Sequence, residues 1–244
     1  MKPAWVCIAL LLANVVLFAV QLMDPAFTYG WSVIPYEITH GVDLQTPVTL
    51  QAGRESVQLP QAPGPQPIYL TIFSAMFMHG GWMHIGGNML YLWIFGDNVE
   101  HRFGALKFLL FYLVSGIVAT FAQIATNPDS PIPNLGASGA ISGVLGAYLV
   151  LFPRNMVNAV FLFRIVSLPA IFVIGMWALL QFVNGAGSIT DRNLAGGVAY
   201  AAHIGGFVAG VVMGIFARMT MKNQEPPSVF RRIYEDEPGV RRYW

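Results

Sequence analysis

Gly136-Ala137-Ser138-Gly139-Ala140-Ile141-Ser142-Gly143-Val144-Leu145-Gly146 is the stretch whose reading decides the fold. It carries no charge, and small residues recur four apart, at Gly139 and Gly143 and again at Ser142 and Gly146. On a helix these positions share a face almost bare of side chains, the kind of face that lets two backbones approach closely in lipid. Pro131, Pro133 and Gly136 break the chain immediately before it, so Ser138 opens the helix. The apolar run that starts here, 138–152, is only about 15 residues long, short of the roughly 20 that a lipid-exposed crossing needs. It is therefore expected to be enclosed by its neighbours.

Five further apolar runs flank it, at about 4–22, 70–95, 105–126, 159–183 and 197–219, which predicts six spans. Composition agrees: 55% of the 244 residues are hydrophobic and only 10% charged, against roughly 25% charged in soluble domains. The first run follows Lys2 like a secretory leader. No small-x-small cleavage site precedes Asp24-Pro25, however, and the run is long for a leader, so it reads as an uncleaved helix. Residues 23–69 form a long connection with strand-like pieces and a proline cluster at Pro60, Pro63, Pro65 and Pro67. A polar tail, 222–244, follows the last run and reads as a solvated terminus. The sequence thus predicts an all-α integral membrane domain over 1–221, with the 23–69 loop included, and a separate tail.

The basic residues orient it. With the N-terminus in the cytoplasm, Lys2, Arg102, Lys107, Arg154, Arg164, Arg218, Lys222, Arg231, Arg232, Arg241 and Arg242 lie inside. Only Arg54 and Arg192 lie outside. Both termini are then cytoplasmic and the 23–69 loop faces outward.

Function classes fall away in turn. A single cysteine, Cys7, excludes an intramolecular disulfide framework and a multi-cysteine metal site, and its apolar setting marks an inert thiol. No HExxH, Walker loop or dinucleotide fingerprint occurs, and His79 and His84 have no glutamate between them. No charge sits mid-span, with Arg164 only near the inner end of the fifth run, which argues against a proton-driven carrier. The polar groups left within the runs are His79, His84, Asn88, Ser138, Ser142, His203 and some amides. His84 and Asn88, four apart, share a helix face, and Ser138 and His203 fall at a similar depth in the outer half of the bilayer. His203 also stands on a glycine face, with Gly206 and Gly210 three and seven residues on. Packing that face on Gly139 and Gly143 brings Ser138 and His203 to hydrogen-bonding distance. Spacing alone leaves two readings open: a nucleophile and base, or a capping serine and a histidine that glues helices.

At these residues the chain resembles the rhomboid family of intramembrane serine proteases. The resemblance covers roughly residues 4–219. It is carried by Gly136-Ala137-Ser138-Gly139 (GxSG), His84-Ile85-Gly86-Gly87-Asn88 (HxxxN), Ala202-His203-Ile204-Gly205-Gly206, and Glu100-His101-Arg102 between Gly96 and Gly104. It implies a six-helix rhomboid bundle and a dyad, Ser138 as nucleophile and His203 as general base, with no acidic third member. It also implies an oxyanion site made by His84, Asn88 and the Ser138 backbone N–H, no cofactor and no metal. Gly136, Gly139, Gly143, Gly206 and Gly210 are expected to pack helices. His79 is expected to be structural and bonded to the first loop, and His40 and His101 to be ordinary loop residues. Relatives commonly carry an aromatic four residues after the serine, stacked on the histidine; here that position is Ser142, so another group must orient His203. The stretch 46–67 is longer than the resemblance leads one to expect, and its sequence assigns it no function.

The expected partners are single-span transmembrane substrates and the lipid bilayer, without nucleic acid. Substrate is expected to pass the fifth run at Phe172, Trp177 and Phe182, under a glycine-rich cap at 184–196 containing Gly185, Gly187 and Gly196. A bacterial inner membrane is the expected setting, since the chain is short and shows no transit peptide. The competing readings are a catalytically inactive relative that binds transmembrane clients and, further off, an unrelated solute transporter.

Overall fold

The computed structural model describes residues 3–52, 55–161, 164–190 and 198–221. The predicted tail 222–244 lies outside these residues, as do Lys2, Arg54 and Arg192. The chain is mostly helical: α1 (Trp5–Met23), α2 (Pro25–Trp31), α3 (Pro35–His40), α4 (Thr71–Ser74), α5 (Trp82–Tyr91), α6 (Asp97–Phe103), α7 (Ala105–Thr126), α8 (Ser138–Leu151), α9 (Ala170–Thr190) and α10 (Tyr200–Thr220). Two antiparallel hairpins interrupt the helices: β1–β2 (Val48–Ala52 with Glu55–Leu59), in the loop where strand-like pieces are expected, and β3–β4 (Met156–Phe161 with Arg164–Pro169), which departs from the all-α expectation. Among the described residues α1, α7 and α10 are long and apolar enough to cross a membrane, and shorter apolar helices run over Ile68–Phe77, Ser138–Leu151 and Ala170–Ala186.

Two expected spans are drawn differently. The run 70–95 is not one helix: Ile68–Phe77 is a chain of short helical turns, and a break over 78–81 separates it from α5. From Trp82 the helix then continues through a π-helical turn at Leu92–Gly96 into α6, ending at Phe103 before Gly104 turns the chain with φ 80°. The run 159–183 begins as the β3–β4 hairpin, and only from Ala170 is it helical. Apolarity without periodicity cannot tell a β-branched strand from a helix. The supposed cap at 184–196 is helix as far as Thr190, and 191–196 lie outside the described residues. His40 and His101 prove to be helical, in α3 and α6.

α8 is the enclosed helix, with every residue from Gly139 to Tyr148 buried. It packs on α10 backbone to backbone, and its Gly139 and Gly143 take small side chains of α7. A β-carbon on Gly206 would run into the Gly139 carbonyl, one on Gly210 into the Gly143 carbonyl, and one on Gly139 to 2.6 Å from the Ala119 methyl. Phe95, Val99, Phe108, Tyr112, Val144, Leu145 and Tyr148 form the core around this contact. α1 is held at both ends. The Glu100 carboxylate accepts from the N–H groups of Val6 (3.1 Å) and Cys7 (2.6 Å), taking up two of the amides that a helix start leaves without partners. At the other end the Gln21 amide grips both sides of the His79 peptide, accepting from its N–H (2.9 Å) and donating to its carbonyl (3.2 Å). That clasp braces the break from which α5 springs.

Candidate active site

Three helix N-termini converge at one end of the bundle. Ser138 is the first residue of α8, His84 lies in the first turn of α5, and His203 in the first turn of α10. First-turn N–H groups have no intrahelical acceptor, and each helix start carries roughly half a positive charge, so this end favours an anion. Gly136, at φ 139°, makes the turn into α8 with backbone that a side chain would strain, and its N–H is tied to the Ala75 carbonyl (2.8 Å).

His203 Nε2 and Ser138 Oγ stand 2.8 Å apart. On the far side of the same ring, Nδ1 lies 2.8 Å from Gln181 Oε1 of α9. A carbonyl oxygen can only accept, so this contact places the ring proton on Nδ1 and leaves the Nε2 lone pair facing the serine hydroxyl. Trp177, one turn before Gln181, brings its ring centroid to 6.1 Å from that of His203. Ser142 lends nothing to the histidine: its hydroxyl donates to the Ser138 carbonyl (2.6 Å) and it is 1% exposed.

His84 is oriented by the break before it. The Gly80 N–H donates to His84 Nδ1 (3.2 Å), so the neutral ring carries its proton on Nε2. That Nε2 edge and Ser138 Oγ border the same space: a β-carbon built on Gly136 would lie 3.0 Å from the first and 3.4 Å from the second. Asn88, one turn deeper on α5, is 8% exposed, and its Nδ2 is buried without a hydrogen-bond partner among the described residues. His84, Asn88, Ser138, Trp177 and His203 all line one cavity of about 540 Å³, together with Leu135 and Ala199. Those donors surround a space large enough for a peptide group and water.

The structure therefore brings Ser138, His203, His84 and Asn88 together. His79 faces elsewhere, with its ring edge-on to Phe18 and to His84 and neither ring nitrogen bonded among the described residues. The expected bond from its ring to the first loop is absent among the described residues; its backbone is what α1 holds. Of the expected gate residues, Phe172 and Phe182 are exposed on α9, whereas Trp177 turns inward to His203. Sequence reasoning missed Gln181, Gly80 and Gln21. Gln181 carried the only usable signal, a costly amide in an apolar run, one turn from a tryptophan.

The family model of the rhomboid domain matches residues 67–220. The chain is 33% identical over 162 residues to Rhomboid protein 1, mitochondrial, of Saccharomyces cerevisiae, an alignment covering 64% of this chain and 44% of that protein. It is 35% identical over 147 residues to Rhomboid protease GluP of Bacillus subtilis (59% and 26%). It is 29% identical over 173 residues to Presenilin-associated rhomboid-like protein, mitochondrial, of Homo sapiens (66% and 40%). The chain thus spans between about a quarter and under half the length of these relatives. With its membrane-crossing helices, it is an integral membrane protein.

Proposed function

This chain belongs to the rhomboid family, and on that premise we propose that it is an intramembrane serine endopeptidase that hydrolyses transmembrane substrates near the outer face. The observation that carries the reading is the 2.8 Å contact from His203 Nε2 to Ser138 Oγ inside a donor-lined cavity. Ser138 Oγ attacks the peptide carbonyl carbon as His203 Nε2 takes its proton. The resulting oxyanion is met by the Ser138 N–H, His84 Nε2–H and Asn88 Nδ2–H. The imidazolium then passes its proton to the leaving amine. Water attacks the acyl-serine, His203 again takes the proton, and the acid product leaves Ser138 free. These steps require no cofactor or metal.

In this reading α1, the continuous helix of α5 and α6, α7, α8, α9 and α10 are six spans of one domain over residues 1–221, with 222–244 as a cytoplasmic tail. The surplus of lysine and arginine in the stretches read as inner supports cytoplasmic termini and a site toward the outer face. Substrates are single-span proteins reaching the cavity from the bilayer past α9. The setting in this reading is a bacterial inner membrane, although similar proteins include mitochondrial ones as well as one from Bacillus subtilis.

The test is labelling of detergent-solubilised protein by a fluorophosphonate probe. Wild type is expected to label, and Ser138→Ala and His203→Ala are not. Persistent labelling of Ser138→Ala would remove the nucleophile. A wild type that never labels would favour an inactive relative that binds transmembrane clients.

A further inference from the structure

We propose that Gln181 is the positioning residue for His203, and that its place on α9 makes the base competent only while α9 is seated against α10. The proposal rests on the Ser–His reading above and extends it to a residue on another helix.

Among the described residues, the polar side-chain atoms bonded to the His203 ring are Ser138 Oγ and Gln181 Oε1, each at 2.8 Å. The serine is the group to be activated, which leaves Gln181 as the one fixed acceptor that selects the productive tautomer. Ser142, the nearest residue to the dyad on α8 with a hydroxyl, is already bonded to the Ser138 carbonyl. Trp177 and Gln181 are one turn apart on α9 and so share a face. The tryptophan walls the ring while the amide fixes its rotation, and Trp177 also packs on Phe207 of α10. A neutral amide orients the imidazole without bringing a carboxylate into the bilayer, where an unpaired charge is costly.

The bond crosses between two helices, and α9 is packed on one face, at Ala170, Ile174 and Ala178. The far side of α9 presents Phe172, Met176, Leu179 and Val183 to the surroundings. Among the described residues its seat on α10 is made by Trp177 against Phe207, Gln181 on His203, and Gly185 against Tyr200 and Ile204. A bond of 2.8 Å does not survive a helix moving aside by the width of a polypeptide. Lateral admission of substrate along α9 and correct orientation of His203 therefore exclude each other. Proton transfer waits until α9 has reseated, which keeps the serine unactivated while the site is open to lipid.

The first test reads the tautomer directly. In full-length protein with ¹⁵N-histidine, the His203 signal is identified by its loss in His203→Asn. Wild type is expected to show Nδ1 protonated and Nε2 bare. Gln181→Met, of similar size but without an acceptor, is expected to lose that form, and Gln181→Glu to keep it. An unchanged tautomer in Gln181→Met, or Nε2–H in wild type, overturns the proposal. This readout needs no turnover, so it decides Gln181 even if wild type fails to label and the protease reading falls.

The second test reads the reaction. Gln181→Met is expected to lower kcat by about 10- to 100-fold at unchanged KM, and Gln181→Glu to recover most of it. Equal losses in both variants would make the residue merely structural. For the seating of α9, a β-carbon at Gly185 would lie 3.3 Å from that of Tyr200, close to the spacing a disulfide spans. A Gly185→Cys/Tyr200→Cys lock is expected to keep fluorophosphonate labelling and stop cleavage of transmembrane substrates until reduced. Full-rate cleavage under the lock overturns the coupling to α9.

Discussion

A single amide states the chemistry of the site most sharply. Among the described residues Asn88 Nδ2 is a buried donor with no protein partner, an arrangement that costs a folded protein about 1–3 kcal/mol where nothing else meets the donor. In the protease reading the partner is the transient oxyanion. Asn88→Leu keeps the volume and removes the orphan donor. It is expected to lower kcat about 100-fold or more with KM little changed, while the thermal midpoint stays level or rises. A variant that melts early yet turns over normally would make the amide structural. Ser138, His203, His84 and Asn88 stood out in the sequence because a hydroxyl, an imidazole or an amide in an apolar run needs a reason to be there. Spacing left catalysis and helix packing both open, and their roles came from the family resemblance. Gln181 and Gly80 did not stand out. Gln181 lies 22 residues before His203 with no periodic relation to it, and Gly80 acts through a backbone N–H that any residue but proline possesses.

Two helices set the reach between nucleophile and base. α8 and α10 touch backbone to backbone at Gly139 with Gly206 and at Gly143 with Gly210, so added bulk there acts as a wedge. Gly210→Ala puts a methyl against the Gly143 carbonyl, Cα and carbonyl carbon, all backbone that cannot swing away. The expected cost is about 1–3 kcal/mol of stability, with slower fluorophosphonate labelling as Ser138 and His203 part. Gly175→Ala on α9, where a β-carbon would meet nothing within 4 Å, is the matched control and is expected to change neither reading. Glycine spacing made this helix pair readable in advance, because only close approach explains so many missing side chains on two faces. The break at 78–81 and the β3–β4 hairpin were hidden for the opposite reason. Apolar residues on both sides hide the break despite Gly80-Gly81 and dominate the hairpin despite Asn158 and Arg164. Tertiary contacts fix each: the Gln21 clasp on His79 at one, strand pairing from Met156 to Pro169 at the other.

Across the whole molecule, the connection after α1 grips the segment that leads into Ser138. Val33 and Asn134 exchange backbone hydrogen bonds, the Tyr36 N–H donates to Ser130, Thr39 to Pro128, and Gln61 to Pro131. Glu37 sits within this lattice, 2% exposed, accepting from the Leu44 N–H. Burial, ahead of the nearby Asp43, pushes its carboxyl up from 4.5 to about 7 despite the Leu44 bond, which favours the charged form. The folded protein thus holds this proton where the unfolded chain releases it. The stabilisation is full below about 4.5 and is lost as pH rises through about 7. Exchange of the Leu44 amide is expected to reveal easier opening at pH 8 than at pH 5, after correction for the intrinsic rate, and Glu37→Gln to abolish the difference. A wild-type profile already flat would show the carboxyl titrating normally. At the opposite end of the molecule, the carboxylate of Glu100 on Val6 and Cys7 imposes an order of biogenesis. Helix α1 emerges from the ribosome some ninety residues before its own capping group exists. Until then its first amides must turn to water or lipid headgroups, and its final seat is fixed only when the helix that carries Glu100 has been delivered beside it.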